Sequence, residues 1–513
     1  MRPIRLISGF LTVGAWTFLS RILGFARDLI IAASLGSGPV AQAFLMAFAL
    51  PNMFRRFFAE GAFNTAFVPL FSKKLEAEEG AAEFARDAFS ALASVLIVVT
   101  LIAQLAMPLL VYAIASGFAG DARFDLTVLY GRIVFGYILL ISLAALLSGV
   151  LNATGRFLAA AAAPALLNVV LIAALVMSGG DDEITGLWLS WGALLGGVAQ
   201  LGVVWWAAAR AGFRVIPRIP VLTPDLKRLA VIAFPAALAG GVMQVNLLVG
   251  RQVASFFDGA VVWLNLADRL YQLPLGVVGI AIGVVLLPDL SRRLTAGDTE
   301  GSRNAANRAA EFALVLSLPA TIALMVIAQP LAHVLFERGA FTAADTAATA
   351  LAIAVYGAGL PAFVLLKVVQ PLFFAREDTK TPFRMALWAM AVNAVVAVAG
   401  APLVGFIAAA LGTTLAAWVN LALLWARARS LGPAVQPDSR LIRSAPRVVL
   451  SSLIMGSVLV LMAMVLIEPL HTPRLRYVAL ALLVAVGMVV YGASVVLTRA
   501  LTPADLRAMV KRG

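Results

Sequence analysis

Fourteen apolar segments, each of twenty residues or more, take up the greater part of this 513-residue chain. As a helix, about 20 apolar residues match the hydrocarbon thickness of a bilayer. In lipid, only helices and closed barrels satisfy their own backbone polar groups. The segments are too long and too continuously apolar for barrel strands, so the expected fold is an all-α polytopic membrane protein. Composition agrees: 62% of residues are hydrophobic, 13% are charged and the mean hydropathy is +0.97. Nothing reads as a separate soluble domain. The absence of cysteine excludes disulfides and thiolate metal sites. The opening MRPIRLISGFLTVGAWTFLS runs into SRILGFARD without a small-residue cleavage site, so it reads as a first helix and not a cleaved signal.

The spans are 7–35, 40–71, 88–116, 127–151, 157–178, 185–209, 228–257, 260–290, 308–336, 346–375, 382–401, 404–426, 443–467 and 476–498. Pro51 and two arginines make the second a candidate for a kinked, partly wet helix. A net charge of +13 would suit a nucleic-acid binder, but the distribution of basic residues points elsewhere. With the N-terminus and alternate loops on one side, that side carries 27 Lys and Arg, against 4 on the other. Such a split places both termini in the cytoplasm, and no nucleic-acid partner is expected.

A weak internal repeat divides the chain. LPNMFRRFFAEGAFNTAFVPLFSKKL in the second span and LADRLYQLPLGVVGIAIGVVLLPDLSRRL in the eighth share an order: arginine, then glycine, then Pro-x-x-Ser before a basic pair. LNATGRF and FFAREDTKTPF stand at corresponding junctions, and each precedes an in-span asparagine, Asn168 and Asn393. The offset of six spans predicts an N-lobe over 1–220, a C-lobe over 221–430 and two added helices over 431–513. An even offset makes the halves a parallel repeat, related by a pseudo-two-fold axis along the membrane normal, with the substrate site expected at the repeat interface.

Arg21, Arg27, Arg55 and Arg269 lie inside apolar spans. An arginine at the bilayer centre costs roughly 2.5–3.5 kcal/mol on insertion scales, so it must face a wet cavity or a partner. Two readings compete. In one, each arginine is buried with a carboxylate: Arg27 with Asp28, Arg56 with Glu60, Arg269 with Asp268. In the other, the cations outnumber the carboxylates and line a cationic cavity for an anionic substrate, because a guanidinium grips phosphate oxygens bidentately and never loses its charge. Arg21 and Arg27 point about 120° apart on a straight helix, and a bend at Gly24 would bring them to one cavity. Lys367 in the tenth span is a fifth candidate cation, with snorkelling as the alternative. Arg132 and Arg251, near span ends, read as snorkelling residues. Gln42, Asn64, Gln244, Asn246, Asn265, Gln272 and Asn393 read mostly as helix-bridging groups. His333 and His471 lie at a span end and in a loop, where a proton relay is not expected. No catalytic constellation, cofactor site or metal-ligand cluster emerges, so the chain reads as a transporter and not an enzyme.

These residues carry a family resemblance. SRILGFARD (20–28), LPNMFRRFFAEGAFNTAFVPLFS (50–72), ADRLYQLPLGVVGIAIGVVLLPDLS (267–291) and FFAREDTKTPF (373–383) resemble the MurJ/MviN family of lipid II flippases, in the MOP exporter superfamily. The resemblance implies a multi-pass protein of the bacterial inner membrane. It would flip the undecaprenyl-diphosphate-linked disaccharide-pentapeptide to the periplasmic face for peptidoglycan synthesis, among membrane lipids and with the cell-wall machinery as a candidate partner. It places substrate-binding cations at Arg21, Arg27, Arg55, Arg269 and Lys367. Supporting or gating positions are Ser20, Asp28, Gln42, Glu60, Asp268 and Gln272. The chain departs from the better-known pattern at Gln42 and Gln272, where that pattern has an aspartate and a glutamate, and it lacks an acid at the core of its seventh span, where some members bind sodium. The implied mechanism is alternating access, with the lipid tail along a groove formed with the last two helices. The alternatives are a flippase for another polyprenyl-linked sugar, a drug exporter, a membrane glycosyltransferase and a non-transporting scaffold. A drug exporter would want cavity acids, a glycosyltransferase would want acidic metal ligands, and a scaffold would leave the arginines paired and dispensable.

Overall fold

The computed structural model describes residues 6–55, 63–432 and 435–500, and all its regular structure there is helical. The first compact unit spans 1–262 together with 338–341. It contains α1 (Leu6–Leu35), α2 (Pro39–Arg55), α3 (Phe63–Glu76), α4 (Ala81–Leu105), α5 (Met107–Ala115), α6 (Ala122–Val134), α7 (Tyr137–Ala153), α8 (Phe157–Met177), α9 (Asp182–Arg210) and α10 (Pro224–Ser255). The second spans 263–337 and 342–513. Its helices are α11 (Ala260–Thr295, whose first residues belong to the first unit), α12 (Thr299–Val326), α13 (Ala328–Phe336), α14 (Ala343–Phe374), α15 (Lys380–Val404), α16 (Ile407–Ala428), α17 (Ser439–Val465), α18 (Ile467–His471) and α19 (Arg476–Leu497).

Ten described helical segments are long and apolar enough to cross a membrane. Of the helices that carry in-span arginines, α1 and α11 are 30 and 36 residues long. Several spans predicted as single helices are jointed. The third breaks at Ala106 between α4 and α5, the fourth at 135–136 between α6 and α7, and the ninth at Ile327 between α12 and α13. Hydropathy averages over such joints, because a one- or two-residue interruption leaves the apolar run intact. The ends follow ordinary chemistry: side chains of Asp181, Thr223, Asp298 and Asp438 accept the first free backbone N–H groups of α9, α10, α12 and α17. Thr342 and Asp345 form a capping box on α14.

Within the first unit, α1 packs on α8, α8 on α9, and α2 on α6. The seventh-span helix α10 packs against α3, α4 and α5. In the second unit, α12 packs on α14 and α17, α15 on α16, and α17 on α19. Polar contacts fasten α17: the buried Glu311 of α12 accepts from Arg440 at 3.2 Å and pairs with Arg308, which also pairs with Asp438.

The loop 338–341 docks on the C-terminal end of α1. Ala340 donates its N–H to the Ala33 carbonyl at 2.8 Å. Gly339 has φ +59°, and a Cβ there would stand 2.1 Å from the Ala33 oxygen. Only glycine permits both the left-handed backbone and that approach. Gly339→Ala should therefore lower the melting temperature of the purified protein, the backbone conformation alone costing roughly 1–3 kcal/mol. Gly202→Ala, where no atom lies within 4 Å, should leave it unchanged or raise it. Equal melting of Gly339→Ala and wild type would remove the docking role.

Candidate functional site

Arg27 is 6% exposed, and Asp28 beside it 2%. One oxygen of Asp28 accepts from Arg27 Nε at 3.0 Å and Nη2 at 2.6 Å. Nη1 donates to Asn168 Oδ1 of α8 at 3.0 Å, and the Phe48 ring of α2 lies 5.9 Å from the guanidinium carbon. The Asn168 amide lies over Gly24, and its Nδ2 donates at 3.0 Å to the Ser20 carbonyl on α1. One asparagine thus ties the backbone of α1 to the guanidinium two turns later. For Arg27 the paired reading is the one realised. Such a pair is costly to break, because the remaining partner is left charged in a low-dielectric interior.

The bend considered at Gly24 does not bring Arg21 and Arg27 to one environment. α1 runs as one helix through it, and Arg21 is exposed while Arg27 is buried. Residues six apart fall on different faces of a helix, and a Cβ at Gly24 would meet the Asn168 amide in ordinary contact at 3.5 Å. Arg55 closes α2 and is half-buried. Arg56 and Glu60 lie outside the described residues, as do the side chains of Asn64, Gln244 and Asn246.

Gln42 is 1% exposed and bonds to Arg123 in the first turn of α6. Its Nε2 donates to the Ser37 carbonyl at 3.0 Å, and its Oε1 accepts from Arg123 at 3.3 Å. Arg123 is buried, 2.6 Å from Asp121 and 2.8 Å from Asp258, with the Phe118 ring centroid 4.6 Å away. Burial pushes the Asp121 carboxyl up, but the Arg123 hydrogen bonds and charge outweigh it and hold it below its ordinary value. Two carboxylates already match Arg123, so a neutral amide suffices at position 42.

In the second unit, Arg269 on α11 and Lys367 on α14 are exposed. Asp268 is half-buried and accepts from Gln272 one turn later. Tyr271, two residues beyond Arg269, packs on Tyr356 and Phe363 of α14 at ring distances of 5.2 and 5.6 Å. That aromatic contact joins the helix of Arg269 to the helix of Lys367. The exposed cations are suited to an anionic, multi-oxygen ligand. Among the described residues, no group of three His, Cys, Asp or Glu side chains could hold a metal ion.

A family model described as lipid II flippase MurJ matches residues 31–489. The chain belongs to this family. A probable lipid II flippase MurJ of Rhizobium tropici is 46% identical over 497 residues, covering 95% of this chain and 93% of the relative. One from Rhizobium meliloti is 45% identical, covering 99% and 97%. A solved structure of a lipid II flippase MurJ in an inward closed conformation superposes with a TM-score of 0.79 at 24% identity, over 95% of this chain and 99% of that one. An inward-facing multidrug MATE transporter of the MOP superfamily gives 0.68 at 14% identity, over 82% and 97%. These two matches show a shared fold.

Two contacts could not be read from the sequence. Asn168 was noted as a repeat marker, yet no spacing rule pairs it with Arg27, 141 residues away. The chain's two histidines meet as a tilted pair, with ring centroids 4.4 Å apart, and His333 Nδ1 lies 2.9 Å from Glu337.

The Arg27–Asp28 pair yields a double-mutant prediction. Arg27→Gln and Asp28→Asn should each destabilise the protein, Asp28→Asn by about 3–5 kcal/mol. The double variant should lose less than the sum of the two. Thermal unfolding of the purified variants checks this, and strict additivity would mean that the two charges do not compensate each other.

Proposed function

We propose that this chain carries lipid II from the cytoplasmic to the periplasmic face of the bacterial inner membrane by alternating access, and that its in-span cations receive the diphosphate. Family membership carries the reading. The exposed Arg21, Arg269 and Lys367 supply the chemistry it needs. Arg55 joins them at the end of α2. Arg27 is held in reserve by Asp28 and Asn168, and it reaches the substrate only when that pair opens. Ser20, Gln42, Glu60, Asp268 and Gln272 support or gate these groups.

The proposed topology is fourteen membrane helices with both termini cytoplasmic. Six form each half of a parallel repeat, and α17 and α19 follow. The loop charges support it, as do the lengths of α1, α10 and α11 beside the ten segments already counted. The undecaprenyl tail stays in lipid, along a groove that includes α17 and α19, and the cell-wall machinery takes the product. Direction has a physical source. Moving one charge through 100 mV is worth about 2.3 kcal/mol, so a head group with about two negative charges leaves a negative-inside cell downhill by roughly 5 kcal/mol.

The test is lipid II exposed to an impermeant reagent on cells depleted of their own flippase. Wild type should restore exposure. Arg269→Ala and Arg21→Ala, present at equal membrane levels, should lose most of it. Full exposure with both variants would remove the cationic clamp, and no exposure with wild type would remove lipid II as the substrate.

A further inference from the structure

Three residues far apart in sequence share one level on the side of the first unit opposite the basic loops. Gln104 of α4 donates to the Arg132 carbonyl of α6 at 3.3 Å. Both line a cavity of about 600 Å³ with Trp191 of α9, and Leu105, Ile133 and Leu194 complete the apolar wall. No carboxylate lines it. Arg132 is exposed, its guanidinium has no ion-pair partner among the described residues, and Trp191 is 53% exposed.

Helix rise fixes the depth. At 1.5 Å per residue, Gln104 stands about 27 Å from Arg86 on α4 and Trp191 about 28 Å from Arg210 on α9. Arg132 takes the level of Gln104 through the hydrogen bond between them. Arg86, Arg156 and Arg210 form the basic level on the other face, and Arg156 donates to the Arg210 carbonyl at 3.3 Å. The hydrocarbon core is about 30 Å thick. Gln104, Arg132 and Trp191 therefore sit one bilayer core away from that basic level, at the opposite headgroup zone, where tryptophan is favoured. Exposed Leu101 on α4 and Leu195 on α9 continue from the cavity toward the bilayer centre.

We infer that this cavity is a binding site for an anionic glycerophospholipid of the outer leaflet. Its phosphate would sit on the Arg132 guanidinium and the Gln104 amide, its glycerol region against Trp191, and its acyl chains along the α4 and α9 strips. An arginine in a wall without acids has charge complementarity for a phosphate, and the guanidinium fork fits two of its oxygens. A cavity that opens beside exposed leucines suits a ligand with a charged head and apolar tails, and it suits a free anion poorly. The site lies outside the cations assigned to transport, and its assignment to the outer leaflet rests on the proposed topology with both termini cytoplasmic.

Native mass spectrometry of the purified full chain, titrated with phosphatidylglycerol, tests this. Wild type should retain one more phosphatidylglycerol than Arg132→Gln at equal lipid. Its apparent affinity for that molecule should be at least about tenfold higher, a factor of ten being about 1.4 kcal/mol and a hydrogen bond to a charged group being worth that or more. Arg132→Lys should retain part of the difference. Phosphatidylcholine should bind more weakly than phosphatidylglycerol, and soluble glycerol 3-phosphate should not displace the lipid. Equal retention by wild type and Arg132→Gln, with both variants folded by melting temperature, would mean that Arg132 only snorkels into water. Displacement by glycerol 3-phosphate would make this a site for a free anion and overturn the lipid assignment.

Discussion

A guanidinium keeps its charge at any pH the cell offers, and hydrocarbon does not solvate it. Everything distinctive in this protein follows from that conflict. Its apolar helices are generic: they satisfy their backbones internally and pack through small residues, as bilayer-spanning helices do. The arginines placed among them are not generic, because each requires a partner or water. Arg27 has both a carboxylate and an amide, Arg123 has two carboxylates and an aromatic face, and Arg21 and Arg269 are exposed. The fold thus separates two classes of cation. One class is paired and buried, and the other is exposed.

Asn168 shows how the paired class is positioned. It holds the Ser20 carbonyl with one end of its amide and Arg27 with the other, so the packing of α1 on α8 and the orientation of the guanidinium are one structural event. A shift of α8 along α1 would release both bonds together. That coupling suits a transport cycle in which helices move, because the same displacement that opens a path would free a cation to meet the substrate.

Much of this was legible in the residues. Apolar length identified the helices, and the imbalance of cations over carboxylates pointed toward an anionic substrate. Motifs around Arg21, Arg55 and Arg269 indicated the family. Three things were not legible. Joints at Ala106, 135–136 and Ile327 vanish in any average over a hydropathy window, because one turn of irregular backbone does not change composition. Arg21 and Arg27 share α1 but not an environment, one exposed and the other buried, and that depends on which helices pack around α1. The partners of Arg27 and Arg123 lie 141 and 135 residues away, at Asn168 and Asp258, and only the tertiary packing brings them together.

The central claim is that exposed in-span arginines bind a diphosphate. The affinity of the purified chain in lipid nanodiscs for undecaprenyl diphosphate tests it most directly, with wild type compared against Arg269→Gln. The account predicts a loss of at least about tenfold, because one charge-assisted contact is worth roughly 1.5–3 kcal/mol and 1.4 kcal/mol is a factor of ten. Equal affinity in the folded variant would contradict it.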